Sequence, residues 1–202
     1  MCHDVDPGSP RLSAPRALVA GVIFMLASAS SDAQVYGLVI GDRLELPECS
    51  RMAMPAVKDF VPPYAPVTSP CTMTRGDGGV IAYPASAPPR HVAGTQLGYR
   101  LNDGKLDVLF ATTSGAPVQD AVLTDLAAKF GAPQQRDDGT ATTAAGAVLR
   151  AVRAQWTLPN ARIEYLGVAG RADAGELVVG TPAGIARYRE EQRRAGGRQT
   201  PM

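Results

Sequence analysis

The side chains able to do chemistry in this 202-residue chain are few. Beyond residue 33, Cys49 and Cys71 flank a Pro-rich stretch, and His91 is the single histidine, beside a Pro-Pro-Arg loop. Carboxylates adjoin at Asp137-Asp138 and Glu190-Glu191, and Asp77 sits in the glycine turn RGDGG. Histidine-driven nucleophilic catalysis needs an oriented base beside a nucleophile. Ser50, Ser69, Ser86 and Ser114 lie in no G-x-S-x-G elbow. A lone histidine without a thiolate partner does not make a zinc site, and glycosidase chemistry needs two carboxyls facing across a cleft, which adjacency in sequence does not give. RGDGG lacks the alternating oxygen ligands of a calcium loop and the lysine and helix of a phosphate loop. His91 therefore reads as a solvent-exposed loop histidine and the carboxylates as turns or solvated faces. No catalytic, metal or cofactor-binding set is assigned.

The N-terminus reads as an address. Arg11 and Arg16 precede an apolar run from Ala17 to Ala29, and small residues follow to Ser31-Asp32-Ala33. That pattern makes residues 1–33 a signal peptide cut between Ala33 and Gln34, with Ala27-Ser28-Ala29 as the alternative processing site. The polar leader before the run is longer than usual for such a segment. The run is too short for a stable span, and no cysteine follows it directly to carry lipid. The expected location is periplasmic or secreted, with no transmembrane segment in the mature chain. Cys2 would leave with the leader. The two remaining thiols, in an oxidising compartment, then form one disulfide, Cys49–Cys71. It would cinch a segment that five prolines (Pro55, Pro62, Pro63, Pro66, Pro70) leave weakly specified, and contribute about 3 kcal/mol in the chain-entropy model.

Length favours one domain, residues 34–195, followed by a disordered tail over 196–202. A net charge of +1 gives no electrostatic footprint for nucleic acid.

The best-specified elements lie between Leu97 and Pro133. Leu97, Tyr99, Leu101 and then Leu106, Val108, Phe110 alternate about Asp103-Gly104, the chemistry of a two-residue type I′ turn. That turn pairs Leu101 with Leu106, Tyr99 with Val108 and Leu97 with Phe110, all six on one face, and sets Arg100 opposite Asp107 on the other. An amphipathic helix follows at about 117–130. Its stripe is Val118, Val122, Leu126 and Phe130 with Ala121, Leu123 and Ala127 beside it, ended by Gly131 and Pro133.

Other segments fill in around this unit. Val35 to Ile40 is β-rich, with a turn at Gly41-Asp42. MAMPAVKDF could hold a helical turn. Thr72–Arg75 and Val80–Tyr83 read as a hairpin about Gly-Asp-Gly-Gly, and 134–146 as a polar, mobile connection. Another hairpin places Trp156 opposite Ile163, Ala154 opposite Tyr165, Thr157 opposite Arg162 and Gln155 opposite Glu164. Glu176–Gly180 makes one more strand. Thr181-Pro182 caps a short C-terminal helix to about Ala195, its apolar face thin (Ile185, Tyr188) and its YREEQRR run solvated. Strands joined as hairpins, interrupted by helices, predict an α+β fold: a mainly antiparallel sheet with the 117–130 helix on one face and the other face open.

VLTDLAAKFGAP, followed further along by AQWTL, resembles a pattern in small, uncharacterised exported α+β proteins of Gram-negative bacteria. GLVIGDRLELPEC is similar to the opening of such proteins and to the glycine-led openings of small outer-membrane assembly lipoproteins, from which this chain departs by lacking a cysteine at the cleavage point. The resemblance implies an exported α+β domain and carries no active-site residues. The expected function is a non-enzymatic protein-binding or structural module whose partner is another envelope or secreted protein, with an inhibitor or immunity role as one form of it. The alternative is a carboxylate-dependent hydrolase of the cell envelope, favoured if Asp77, His91, Asp137 and Asp138 line one pocket.

Overall fold

A computed structural model describes residues 33–53, 63–142 and 146–197. The leader to residue 32, most of the MAMPAVKDF turn and the chain beyond 197 lie outside the described residues. β1 (Gln34–Val35) and β2 (Leu38–Val39) form a small hairpin. β3 (Cys71–Arg75), β4 (Gly78–Ala82), β5 (Gln96–Asn102) and β6 (Lys105–Thr113) form a meander that leads, through a 3₁₀ turn, into α1 (Gln119–Phe130). A second meander comprises β7 (Gln135–Thr142), β8 (Val148–Thr157), β9 (Arg162–Leu166) and β10 (Gly175–Gly180), and ends in α2 (Pro182–Gly197). The meanders join at β6 and β10 into one antiparallel sheet of order β3-β4-β5-β6-β10-β9-β8-β7. The α+β class is as the hairpin pattern predicts.

The inner face carries the main core. Leu97, Tyr99, Leu106, Leu109, Trp156 and Ile163 are buried there under Val122, Leu123 and Leu126 of α1. Trp156 also donates its indole N–H to Gly131 O at 2.8 Å, tying the end of α1 to β8. At the helix's other end, the side chain of Gln119 replaces a strand. Its amide accepts from Val152 N–H (3.2 Å) and donates to Arg150 O (3.1 Å), where β9 has stopped pairing with β8. A buried backbone edge must find partners, and Gln119 supplies them.

The Cys49–Cys71 disulfide is present. Beside it Cys49 N–H bonds to Thr72 O (2.9 Å) and Thr72 N–H to Pro47 O (2.8 Å), so residues 47–49 cover the start of the β3 edge. The Trp156/Ile163 hairpin has the expected register throughout.

Four expectations need correction. In the Asp103-Gly104 hairpin both turn residues take positive φ, and Leu101 does face Leu106, but Asp107 then bulges from β6. Beyond it Tyr99 pairs with Leu109 and Arg100 with Val108, so Val108 and Phe110 turn to the outer face. The reason is tertiary. The buried Asp107 carboxylate accepts from Thr181 Oγ1 (2.6 Å) and Arg187 (2.5 Å), and Asp107 O accepts Thr181 N–H (2.9 Å).

Second, the outer face is not open. Ile185 and Tyr188 of α2 are buried on Val108, Val178 and Phe110, with Tyr188 stacked on Phe110 at 4.8 Å, and the helix runs on to Gly197. Third, residues 135–142 are a strand, ordered by pairing along the long strand β8. Fourth, Val35 to Ile40 folds back on itself at Tyr36-Gly37.

Asp107→Ala removes hydrogen bonds to a buried charged group, each typically worth about 1.5–3 kcal/mol. We expect a loss of about 3 kcal/mol in denaturant unfolding, the low end for two such bonds because Arg187 is half-exposed, with the amides of Ile185 and Tyr188 losing hydrogen-exchange protection before the inner-face strands do. Unchanged protection would mean that apolar packing alone holds α2.

Candidate functional site

Strand alternation decides what faces outward beside α2. On β8 and β9 the outward residues are Arg153, Gln155, Glu164 and Leu166. Pairing adds Asp137 opposite Arg153 and Gln135 opposite Gln155 on β7, and Glu176 opposite Leu166 on β10. Because α2 lies over β6 and β10, these residues form the floor of a cleft of about 510 Å³ with the helix as one wall. Arg189 makes that wall. Ile185, Tyr188 and Arg189 follow the i, i+3, i+4 spacing of one helical face, so burying the first two aims the guanidinium across the sheet. It donates to Glu164 at 3.0 Å and Glu176 at 2.7 Å. Tyr188 O–H donates to Glu176 at 3.2 Å; burial, with that carboxylate beside it, pushes the hydroxyl up to about 12 and keeps it a donor at neutral pH.

Glu164 and Glu176 are the carboxylate pair the fold assembles, from separate strands, and the sequence places Glu164 on a polar outer face without pairing it with Glu176. Alternation in ARIEYL and ELVVG places each on the outward face, but only the β9–β10 register and Arg189 bring them together. Both are engaged by one guanidinium, which leaves neither as an uncommitted acid or base. The rest of the cleft offers recognition chemistry: an exposed Arg153 opposite Asp137, and two amides, Gln135 and Gln155, side by side.

The residues singled out in the sequence are dispersed. Asp137 and Asp138 are successive strand residues and point to opposite faces. Asp137 lines the cleft, whereas Asp138 is on the α1 side, held by Arg136 at 2.6 Å and Arg150 at 2.5 Å; Arg150 also reaches Asp120 at 2.8 Å. Asp77 lines a different depression, of about 820 Å³, on the other flank of α2 with Met73, Phe110, Arg100 and Glu191. Glu190 pairs with Arg193 and Arg194 along its own helix, and Glu191 faces Arg100 at 3.5 Å. His91 is not the exposed loop residue expected: its side chain is only 16% accessible and its Nε2–H donates to Asp125 at 2.8 Å. YREEQRR is likewise only partly solvated, since Tyr188 and Arg189 face the sheet. Among the described residues, no group of three or more His, Cys, Asp or Glu could hold a metal ion, and no helix is long and apolar enough to cross a membrane.

This geometry defines a two-meander α+β domain with a cleft of mixed polarity along its second helix. No family model, curated protein or solved structure matches the chain.

Hydrogen bonds from Arg136 and Arg150 hold the exposed Asp138 carboxyl down at about 2. Its depressed value stabilises the fold above the ordinary carboxylate range near pH 4, and the contribution is lost as pH falls toward 2. Arg150→Ala should raise the Asp138 midpoint toward about 4 in a carboxyl NMR titration. A midpoint that stays near 2 would show that Arg136 alone suffices.

Proposed function

We propose that this chain is an exported, disulfide-stapled protein-binding module, periplasmic or secreted, that holds an envelope or secreted partner in the cleft beside α2 and along β7. The observation that carries this reading is the sheet's asymmetry. The start of the β3 edge is covered by residues 47–49, whereas among the described residues β7 pairs only with β8, and β7 residues Gln135 and Asp137 also line the cleft. A partner strand added to β7 would extend the sheet by main-chain hydrogen bonds while its alternate side chains enter the cleft, the β-augmentation mode of recognition. An inhibitor or immunity role against an envelope hydrolase fits the same surface. The disulfide supports export, because such bonds persist in oxidising compartments.

The test is affinity capture from envelope extract with the exported protein, with an Asp137→Arg/Arg153→Glu double variant, and with Arg193→Glu on the solvated side of α2. We expect one stoichiometric partner with the parent chain and with Arg193→Glu, and its loss with the double variant. Equal capture by all three would move the interface elsewhere.

The alternative reading, a carboxylate-dependent hydrolase of the cell envelope, would have to release Glu164 and Glu176 from Arg189. It requires turnover of an envelope polymer that Glu164→Gln and Glu176→Gln each abolish in a chain that still folds.

Processing bears on the same reading. Ala33 is buried in the main core and its carbonyl accepts Ile40 N–H at 3.2 Å. A cut between Ala33 and Gln34 removes those contacts, whereas a cut after Ala29 keeps them. We keep the cut between Ala33 and Gln34, and the intact mass of the exported protein separates it from a chain beginning at Ser30. A mass beginning at Gln34 would show that β1 forms without Ala33.

A further inference from the structure

On the inner side of the molecule, away from the cleft, a cavity of about 120 Å³ lies between the β1–β2 hairpin, the Arg90-His91 loop and α1. Its walls are the side chains of Val35, Val122, Leu126, Phe130 and Leu177 together with the ring of Tyr36. The Tyr36 hydroxyl is spent on Arg90 O at 3.2 Å, and burial pushes it up to about 12, so this wall stays neutral. The volume is close to that of a dry engineered cavity, about 150 Å³, that takes up benzene.

The remaining groups around the cavity are charged and unbalanced. Asp125 accepts from both His91 (2.8 Å) and Arg90 (3.0 Å). Lys129 has no carboxylate partner among the described residues, and its ammonium sits 5.5 Å from the centre of the Phe130 ring that forms one wall. Arg90 and Lys129 thus outnumber the single carboxylate before any charge on His91 is counted. At the carbonyl end of α1, Gly131 N–H bonds to Ala127 O (2.9 Å) and the Trp156 indole to Gly131 O (2.8 Å).

His91 takes a φ of 64° as the third residue of the Pro89–Val92 turn, which Val92 N–H closes on Pro89 O at 3.3 Å, and its imidazole is held on Asp125.

We infer that this cavity binds a short aliphatic carboxylate, its tail among Val122, Leu126 and Leu177 and its anionic head beside Lys129. The volume admits a tail of a few carbons and excludes a long-chain fatty acid or a lipid acyl chain. Affinity comes from apolar contact with a preformed cavity, and the choice of anion over alcohol or amine comes from the uncompensated ammonium.

The experiment titrates the full chain with butanoate, butan-1-ol and butylammonium and follows side-chain methyl resonances by NMR. We expect saturable shifts at Val122, Leu126 and Leu177 with butanoate, binding about tenfold weaker with butan-1-ol, and none with butylammonium. Lys129 is exposed, so Lys129→Gln should leave the fold intact. It should bring butanoate down to the affinity of butan-1-ol without changing the latter. Absence of saturable shifts with butanoate, equal binding of the alcohol, or an unchanged butanoate affinity in Lys129→Gln would each overturn the assignment.

Discussion

The buried carboxylate of Asp107 is the constraint on which the outer half of the molecule depends. A carboxylate removed from water without partners is costly, and here each oxygen has one: Thr181 Oγ1 on Oδ1 and Arg187 on Oδ2. Both come from the start of α2. Thr181 in turn caps the helix by accepting Gly184 N–H at 2.9 Å. Glycine is required at the point of closest approach, because a Cβ on Gly184 would lie 2.6 Å from the Asp107 carboxyl atoms. The bulge, the cap and the glycine are therefore one device. It anchors α2 across β6 and β10, and the placement of that helix creates both the Arg189 wall and the depressions on either flank.

The bulge also explains why the register of the best-looking hairpin was misjudged. In KLDVLF an aspartate between leucine and valine reads as the polar member of a regular alternation, and the two-residue Asp103-Gly104 turn supports that reading. Nothing local marks Asp107 as an extra residue; its partners lie at Thr181 and Arg187, in the last helix. By contrast, the Trp156/Ile163 hairpin contains no tertiary demand of this kind, and its cross-strand pairs follow the alternation. Strand β7 was illegible for a different reason. QRDDGTAT has no apolar period because most of it is exposed, and its extended form comes from the backbone partners offered by β8. β-propensity measures fit to a neighbouring strand more than any preference of the segment itself.

The cleft was half legible. Alternation alone could place Arg153, Gln155 and Glu164 on one face, and it does so correctly. What alternation could not supply is the wall. YREEQRR looks solvated because arginines and glutamates dominate it, yet long cationic side chains bury their stems while their heads reach carboxylates. Arg189 does this over β9 and β10, with Tyr188 beside it on Phe110. Similarly, Gln119 sits in an apolar stripe where a polar residue looks like a flaw, and there it satisfies the backbone of β8. Both cases share one cause: the partner of a polar side chain is distant in sequence.

A sheet with two unlike edges and two unlike faces has most of its alternatives removed. The Cys49–Cys71 link and the Pro47–Thr72 hydrogen bond hold chain over the start of β3, so strand addition there would have to displace a covalently tethered segment. The inner face is filled by α1 and the β1–β2 hairpin. On the outer face α2 covers the centre and leaves the flanks. Charges on an edge strand guard it against strand addition, but on β7 Arg136 and Asp138 are drawn to the α1 side by Arg150 and Asp120. Only Asp137 remains on the cleft side, and Arg153 opposite it balances its sign. An edge whose guarding charges are occupied elsewhere, beside a cleft of mixed polarity, differs physically from an edge that repels every strand, and the network around Arg150 is what makes the difference.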